Sequence, residues 1–306
     1  MLKPSTLVCL AGEPVINVTR GCAHRCVYCY ARAYPEYPGD DRVQLYVNLA
    51  EKVADELARK RHKPGRVHFS SSSDGFGPYA EVQRQTHRVM RVLLRRGIRV
   101  SFLTKGYIRR PFYRLFREYR GLIRATIGLV SVDDGIARLL EPGAAPPRKR
   151  LRNLRRLCRM GISTSVRIDP MVPELTDSAR ELRRLLAAVS RCGVRRVSAS
   201  YLFLRPAIRR RLACELRPDY LRDRILDCYQ GGPRIVHRAN PDGCGITALP
   251  AWRRERGFDR LRALAQPFGI TVSICGCKNT DLGIEDSCSG YRDDGSETGC
   301  RQLLLF

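Results

Sequence analysis

At 306 residues, 43% hydrophobic and 28% charged, the chain is long enough for one large α/β domain or a barrel-like core with an appendage, and its composition is that of a soluble globular protein. It contains no apolar run long enough for a membrane-spanning helix, and MLKPSTLVCLAGEPV lacks the apolar core of a secretory signal, so no membrane partner and a cytoplasmic location are expected. The formal net charge of +26 favours phosphate-bearing partners, a nucleic acid above all, although 49 of the 56 basic residues are arginine, a skew that a GC-rich genome also produces.

Strand-like runs rich in Val, Ile and Phe alternate with helical patterns along the chain. The predicted strands are PVINVTR (14–20), RVHFSSS (66–72), RVSFLTK (99–105), IRATIGLVS (123–131), ISTSVRIDP (162–170) and VRRVSASYLFL (194–204). Helical patterns lie between them, several closing on a glycine (Gly97, Gly161, Gly193), and Thr176, Asp177 and Ser178 form a helix start. Six strand–helix units predict parallel strands with right-handed crossovers, too few for a closed eight-stranded barrel. An open or partial barrel over residues 1–205 is the expected fold, with a cysteine-rich extension over 206–306. In the extension RPDYLRDRILDCYQGG and RRERGFDRLRALAQPFG look helical, and ITVSICGC has the pattern of one more strand.

Chemistry in such folds gathers at the carboxyl ends of the strands. The unusual residues fall there: the cysteine loop, SSSSDG, TKG, SVDD and RIDP. Thirteen cysteines, an odd number, in a cytoplasmic chain suggest metal ligands plus buried thiols rather than disulfides. Cys158, Cys192, Cys214 and Cys228 sit in helical patterns as small packing residues, and Cys9 is read as structural. Cys22, Cys26 and Cys29 fall within eight residues. Three thiolates on a four-iron cluster leave one iron open for a chelating ligand. A zinc site completed by His24 is the alternative, at a spacing unlike that of zinc fingers.

The loop GCAHRCVYCYAR resembles the CxxxCxΦC signature of the radical S-adenosylmethionine (SAM) enzymes, with Tyr28 in the aromatic slot, and it follows the first predicted strand as it does there. The resemblance extends over about residues 14–205 and is nearest to the spore photoproduct lyase-like group, a DNA-repair photolyase-like branch, through FSSSSDGFGP, FLTKG, LLEPGAAPPRKRLRNLRRLCRMGI and RIDPMVPELTD. It implies a partial (β/α)6 barrel and a [4Fe–4S] cluster on Cys22, Cys26 and Cys29. It also implies reductive cleavage of SAM to a hydrogen-abstracting 5′-deoxyadenosyl radical, with an electron donor such as flavodoxin or ferredoxin. By the same resemblance Tyr28 lies against the SAM adenine, Ser73 and Asp74 lie beside the SAM pocket, and Lys105 approaches the SAM carboxylate. Ser131, Arg167 and Asp169 are candidates for the ribose or carboxylate. The local alternatives are loop capping for Ser131 and Asp169 and an internal ion pair for Arg167. One departure stands out. Spore photoproduct lyases carry a hydrogen-donating cysteine where this chain has Ser71, so thymine-dimer reversal does not carry over with the fold.

Cys275, Cys277, Cys288 and Cys300 lie in a polar, Gly-rich tail and fit a second Fe–S cluster or a structural zinc, with unligated thiols as the remaining possibility. Cys244 in PDGCGI is an additional ligand, a hydrogen donor or a plain loop thiol. Tyr30, Tyr34 and Tyr37 either stack on bases or pack the loop. The favoured substrate is a nucleic acid. A peptide or small metabolite, or a non-catalytic Fe–S or zinc module that binds nucleic acid, are the rivals.

Overall fold

The computed structural model describes residues 2–4, 10, 12–235, 245–284 and 286. Seven parallel strands form one open sheet in chain order: β1 (Pro14–Ile16), β2 (Arg66–Phe69), β3 (Arg99–Thr104), β4 (Ile123–Gly128), β5 (Ser163–Met171), β6 (Arg196–Tyr201) and β7 (Thr271–Ile274). Lys3–Pro4 adds an antiparallel edge beside β1. β7 is the strand foreseen in ITVSICGC. It pairs with β6 in the register Val272↔Val197, so a strand from beyond residue 205 belongs to the same sheet.

Alternation along the strands separates two faces. Val67, Phe69, Val100, Phe102, Ala125, Ile127, Val166 and Ile168 are buried in the main core under the helices. That layer includes α1 (Leu49–Arg59), α2 (Ala80–Leu94), α3 (Arg110–Glu118), α4 (Asp134–Leu140), α5 (Pro147–Arg159) and α6 (Ala179–Ser190). α2, for example, buries Val82, Val89, Met90, Leu93 and Leu94, each contributing about 1.5–3 kcal/mol of transfer free energy. The alternate residues His68, Ser101, Arg124, Thr126, Arg167 and Asp169 face a cavity on the other side of the sheet. Packed barrels fill that space with branched apolar side chains; here these six strand residues are polar or charged, beside apolar lining such as Leu103, Leu202 and Ile246.

Several predicted boundaries move for local reasons. The first predicted strand breaks after Ile16, and Thr19–Arg20 pairs instead with Gln44–Leu45. The second ends at Phe69 because the Asn17 carboxamide oxygen accepts the Ser72 and Ser73 N–H groups at 2.9 and 3.1 Å, drawing that backbone off the ladder. Gly97, Gly161 and Gly193 take positive φ just past their helices, as expected of C-terminal caps. Ser178 caps α6 by accepting the Glu181 N–H at 3.2 Å. Two further helices join the expected set. α4 is capped by Asp133, and α7 (Pro206–Glu215) starts on a proline. α8 (Asp219–Asp227) and α9 (Ala251–Ala265) occupy the two segments expected to be helical. Among the described residues no helix is long and apolar enough to cross a membrane.

Candidate active site

The cysteine loop leaves Thr19–Arg20 and is held from three sides. α7 supplies Arg211, which donates to the Cys29 and Arg32 carbonyls at 3.3 and 2.8 Å. Residues 140–143 lie along the loop: Val27 N–H donates to Leu140 O, and Gly143 N–H donates to His24 O, both at 3.0 Å. A Cβ on Gly143 would sit 1.9 Å from the Ala23 carbonyl oxygen, so only glycine permits this approach. Gly143→Val is therefore expected to push the loop out of place. The variant should take up much less iron than wild type on anaerobic reconstitution and lose a few kcal/mol of stability to urea.

The third support is Asp74, buried behind the loop. Its carboxylate takes the His24 Nε2 hydrogen bond at 2.8 Å, the Thr104 hydroxyl at 2.8 and 3.0 Å, and the Phe76 and Lys105 N–H groups, each at 2.8 Å. Burial alone would raise its pKa, but the facing His24 and these donors hold it below the usual carboxylate range. The other His24 nitrogen lies 3.2 Å from Gly143 O. With both ring nitrogens engaged, His24 braces the loop and is not placed as a fourth ligand.

Tyr28 and Lys105 meet over a buried ion pair. The Tyr28 hydroxyl donates to Glu141, which pairs with Arg150 NH1 at 2.5 Å. Lys105 Nζ lies 3.9 Å from Glu141 Oε1 and 5.1 Å from the Tyr28 ring centre. Arg150 also donates to Ala145 O and Gly128 O at 2.6 and 3.0 Å, tying the loop support to β4. Burial would raise the Glu141 pKa, but Arg150 and Lys105 bring it below the usual range. Sequence reading missed Glu141 and Arg150 as part of the site, although both fall in the quoted block LLEPGAAPPRKRLRNLRRLCRMGI.

All this opens on a cavity of about 250 Å³ inside the sheet. Of the expected site residues, Cys26, Tyr28, Cys29, Lys105, Arg167, Asp169 and Cys277 line it, together with Ser71 and Tyr30. Ser73, Asp74 and Ser131 do not. Ser73 bonds to Asn17, and Ser131 accepts the Asp133 N–H at 3.0 Å, the local capping arrangement weighed for it above. Tyr30 donates to the Ser71 carbonyl and packs edge-on against Tyr34 at 5.8 Å. Cys22 is held close behind; burial pushes its thiol up, as it pushes Cys26 up to about 12. Buried as they are, the Cys22 and Cys26 thiols need a cationic partner to become thiolates, and an iron–sulfur cluster provides one. The donor set fits.

On the far side of the cavity Arg167 donates to Asp169 Oδ2 at 3.1 and 2.9 Å, the internal pair weighed above, and Lys278 contacts both Asp169 oxygens at 2.7 Å. Cys275 and Cys277 bring their sulfurs to 2.9 Å beside it. Cys244, Cys288 and Cys300 lie outside the described residues.

Residues 16–186 match the family model of the radical SAM superfamily. The chain belongs to that superfamily. Radical SAM enzymes carry a [4Fe–4S] cluster and use SAM, and the three-cysteine loop is the part of this chain that fits them. A Mycobacterium tuberculosis protein of uncharacterized function is 29% identical over 235 residues, covering 72% of this chain and 68% of its own. The radical SAM Nalpha-GlyT isomerase of Pseudomonas phage M6 is 28% identical over 260 residues, 83% of this chain and 51% of the phage protein. Among solved structures, a spore photoproduct lyase variant superposes with a TM-score of 0.66 at 18% identity, covering 89% of this chain and 79% of that one. Spore photoproduct lyase complexed with dinucleoside spore photoproduct gives 0.64 at 18% with the same coverage. At such identity the likeness is one of fold, and it bears out the expected open radical SAM barrel.

Proposed function

We propose that this radical SAM enzyme carries a [4Fe–4S] cluster on Cys22, Cys26 and Cys29, cleaves SAM reductively there, and abstracts hydrogen from a nucleic acid, in DNA repair or modification. The observation that carries this reading is the composition of one cavity: Cys26 and Cys29 share it with Tyr28 and Lys105, and Arg124, Arg167 and Arg205 line it too. When bound, cluster and SAM supply the radical chemistry; the chain supplies position, charge and exclusion of water. Tyr28, its hydroxyl fixed by Glu141, presents its ring to the adenine. Lys105, the nearest ammonium to that ring, meets the SAM carboxylate. Arg167 and Asp169 reach the ribose or carboxylate from β5. Ser73, Asp74 and Ser131 act from behind, by positioning loops. Cys275 and Cys277, with Cys288 and Cys300, hold a second cluster or a zinc.

The nucleic-acid assignment is supported by the charge of +26 and by a structural neighbour, spore photoproduct lyase, whose structure is complexed with dinucleoside spore photoproduct. Binding to single-stranded DNA, duplex DNA and RNA across a salt series tests it. Neutralising about three phosphates gives a slope of log K against log[salt] of roughly −2 to −3. A flat response, or no binding at moderate salt, points to a peptide or small-metabolite substrate.

A further inference from the structure

On four of the outer helices an exposed arginine has an acid one turn away. Arg84 pairs with Glu81 on α2, Arg184 with Glu181 on α6, Arg222 with Asp219 on α8 and Arg262 with Asp259 on α9, at 2.7 to 3.2 Å. The helices α3 and α5 break that habit. RPFYRLFRE carries three cations and PRKRLRNLRRLCR seven, against one carboxylate, Glu118. Arg150 is buried on Glu141; among the described residues none of the other nine pairs with a carboxylate. A GC-rich genome exchanges lysine for arginine, but it does not strip one face of its acids.

The nine share a surface. On α5, Arg148, Lys149, Arg152, Arg155, Arg156 and Arg159 fall within an arc of about 120° at 3.6 residues per turn, opposite the buried Leu154 and Leu157. On α3, Arg110, Arg114 and Arg117 lie opposite the buried Phe112, Leu115 and Phe116. All but Arg156 are exposed. What holds some of these cations is neutral. Arg156 donates to the Tyr107 hydroxyl at 3.4 Å and its guanidinium stands 5.1 Å over the Tyr113 ring of α3, while Lys149 lies 5.7 Å from the Tyr107 ring centre. Buried Asn153 fixes both tyrosines: it accepts the Tyr113 hydroxyl at 3.3 Å and the Ile108 N–H at 3.2 Å, and donates to Gly106 O at 2.9 Å. The phenols therefore order cations without cancelling their charge, and side chains already held lose less entropy when an anion arrives. One end of this surface adjoins the site. Tyr107 follows two residues after Lys105, and Ala145 N–H donates to Lys105 O at 3.0 Å just ahead of α5.

We infer that the outer faces of α3 and α5 grip the phosphate backbone of a nucleic acid outside the cavity. This rests on the nucleic-acid reading for the kind of partner and on the geometry above for its place. Guanidinium forks match phosphate oxygens, and a stripe of them suits a polymer with one charge per nucleotide. The 13 residues of α5 extend about 20 Å, beyond the reach of the single phosphate of a dinucleotide. The substrate is then a polymer, anchored over several phosphates on the helices while the cavity takes one part of it.

Binding of a thymidylate dodecamer and of the dinucleotide d(TpT) to the reconstituted full chain across a salt series tests this. Wild type is compared with the triple variant Arg148→Gln, Arg152→Gln, Arg155→Gln. A control of equal net charge, Arg84→Gln, Arg184→Gln, Arg262→Gln, removes three arginines that have acids beside them. Melting curves confirm that both variants are folded. The α5 variant should bind the dodecamer at least about 10-fold more weakly near 0.1 M salt, with the slope of log K against log[salt] reduced by roughly 2, three single-strand phosphate contacts' worth. Binding of d(TpT) should not change, and the control should bind the dodecamer as wild type does. The inference is overturned if the α5 variant matches wild type, or if the control loses as much, which would make the binding diffuse; the nucleic-acid reading survives either result. Flavodoxin binding that needs the α5 arginines while the dodecamer does not would give the face to an acidic protein and also overturn it. If the dodecamer needs α5 but a deuterated dodecamer passes no deuterium to 5′-deoxyadenosine, the surface stands and the nucleic-acid substrate falls.

Discussion

Cys26→Ala is expected to leave a folded protein that no longer assembles its cluster and forms no 5′-deoxyadenosine. Cys26 is buried, lines the cavity and feels the field of both Lys105 and Glu141, so its sulfur is central to the loop rather than peripheral. Alanine removes one thiolate and leaves only a small void, because the loop stays tied by Val27 to Leu140 and by His24 to Gly143 and Asp74. Stability should fall by no more than about 1–2 kcal/mol, within the ordinary range for a point substitution. Iron and sulfide per chain, with the visible absorbance of the reconstituted protein, measure the first effect, and urea unfolding measures the second. If the variant loads iron at the wild-type ratio and turns over SAM, the loop is not the cluster site.

The largest loss of stability is expected from Arg150→Leu. Arg150 and Glu141 are each only 1% exposed, and removing the guanidinium strands a carboxylate in the core. Breaking a buried pair in this way costs about 3–5 kcal/mol. The sign of the pH dependence follows from the Glu141 shift. In wild type its depressed pKa contributes stability that is present above the unfolded carboxylate value and lost as pH falls through the folded one. Without Arg150 that contribution is cut to what Lys105 and Tyr28 still supply, so the gap between variant and wild type should narrow as the medium becomes acid enough to protonate Glu141. Pairing Arg150→Leu with Glu141→Gln should recover part of the loss, because no bare charge is then buried. Tyr28 depends on the same pair through its hydroxyl, so SAM binding should weaken along with stability. Urea titrations over a pH series, with SAM binding on the same samples, check both effects.

Much of this was legible in the chain because the relevant physics is local. The strand–helix alternation, the glycines after α2, α5 and α6 and the Ser178 cap follow from short-range rules, and the cysteine spacing is a motif in itself. The polar alternation of RVHF, RVSFLT, IRATIG and STSVRID also carries the cavity face, since every second residue points the same way. What was not legible depends on contacts made across the chain. Glu141 meets Tyr28 over 113 residues, and Asp74 meets His24 over 50. Neither carboxylate sits in a pattern that marks it as buried. Resemblance puts Asp74 beside the SAM pocket but does not tell that its oxygens are engaged by His24, Thr104 and two backbone N–H groups. Lys278 gave no sign of its place, because only the pairing of β7 with β6 and the grip of Arg254 bring it to Asp169.

The central claim is that the open coordination position at the three-cysteine loop is used for SAM. Anaerobic reconstitution with iron and sulfide, reduction, addition of SAM and chromatographic detection of 5′-deoxyadenosine test it most directly. The account predicts 5′-deoxyadenosine from the wild-type protein and none from Cys22→Ala, Cys26→Ala or Cys29→Ala. Cluster-loaded, reduced wild-type protein that leaves SAM intact would contradict it.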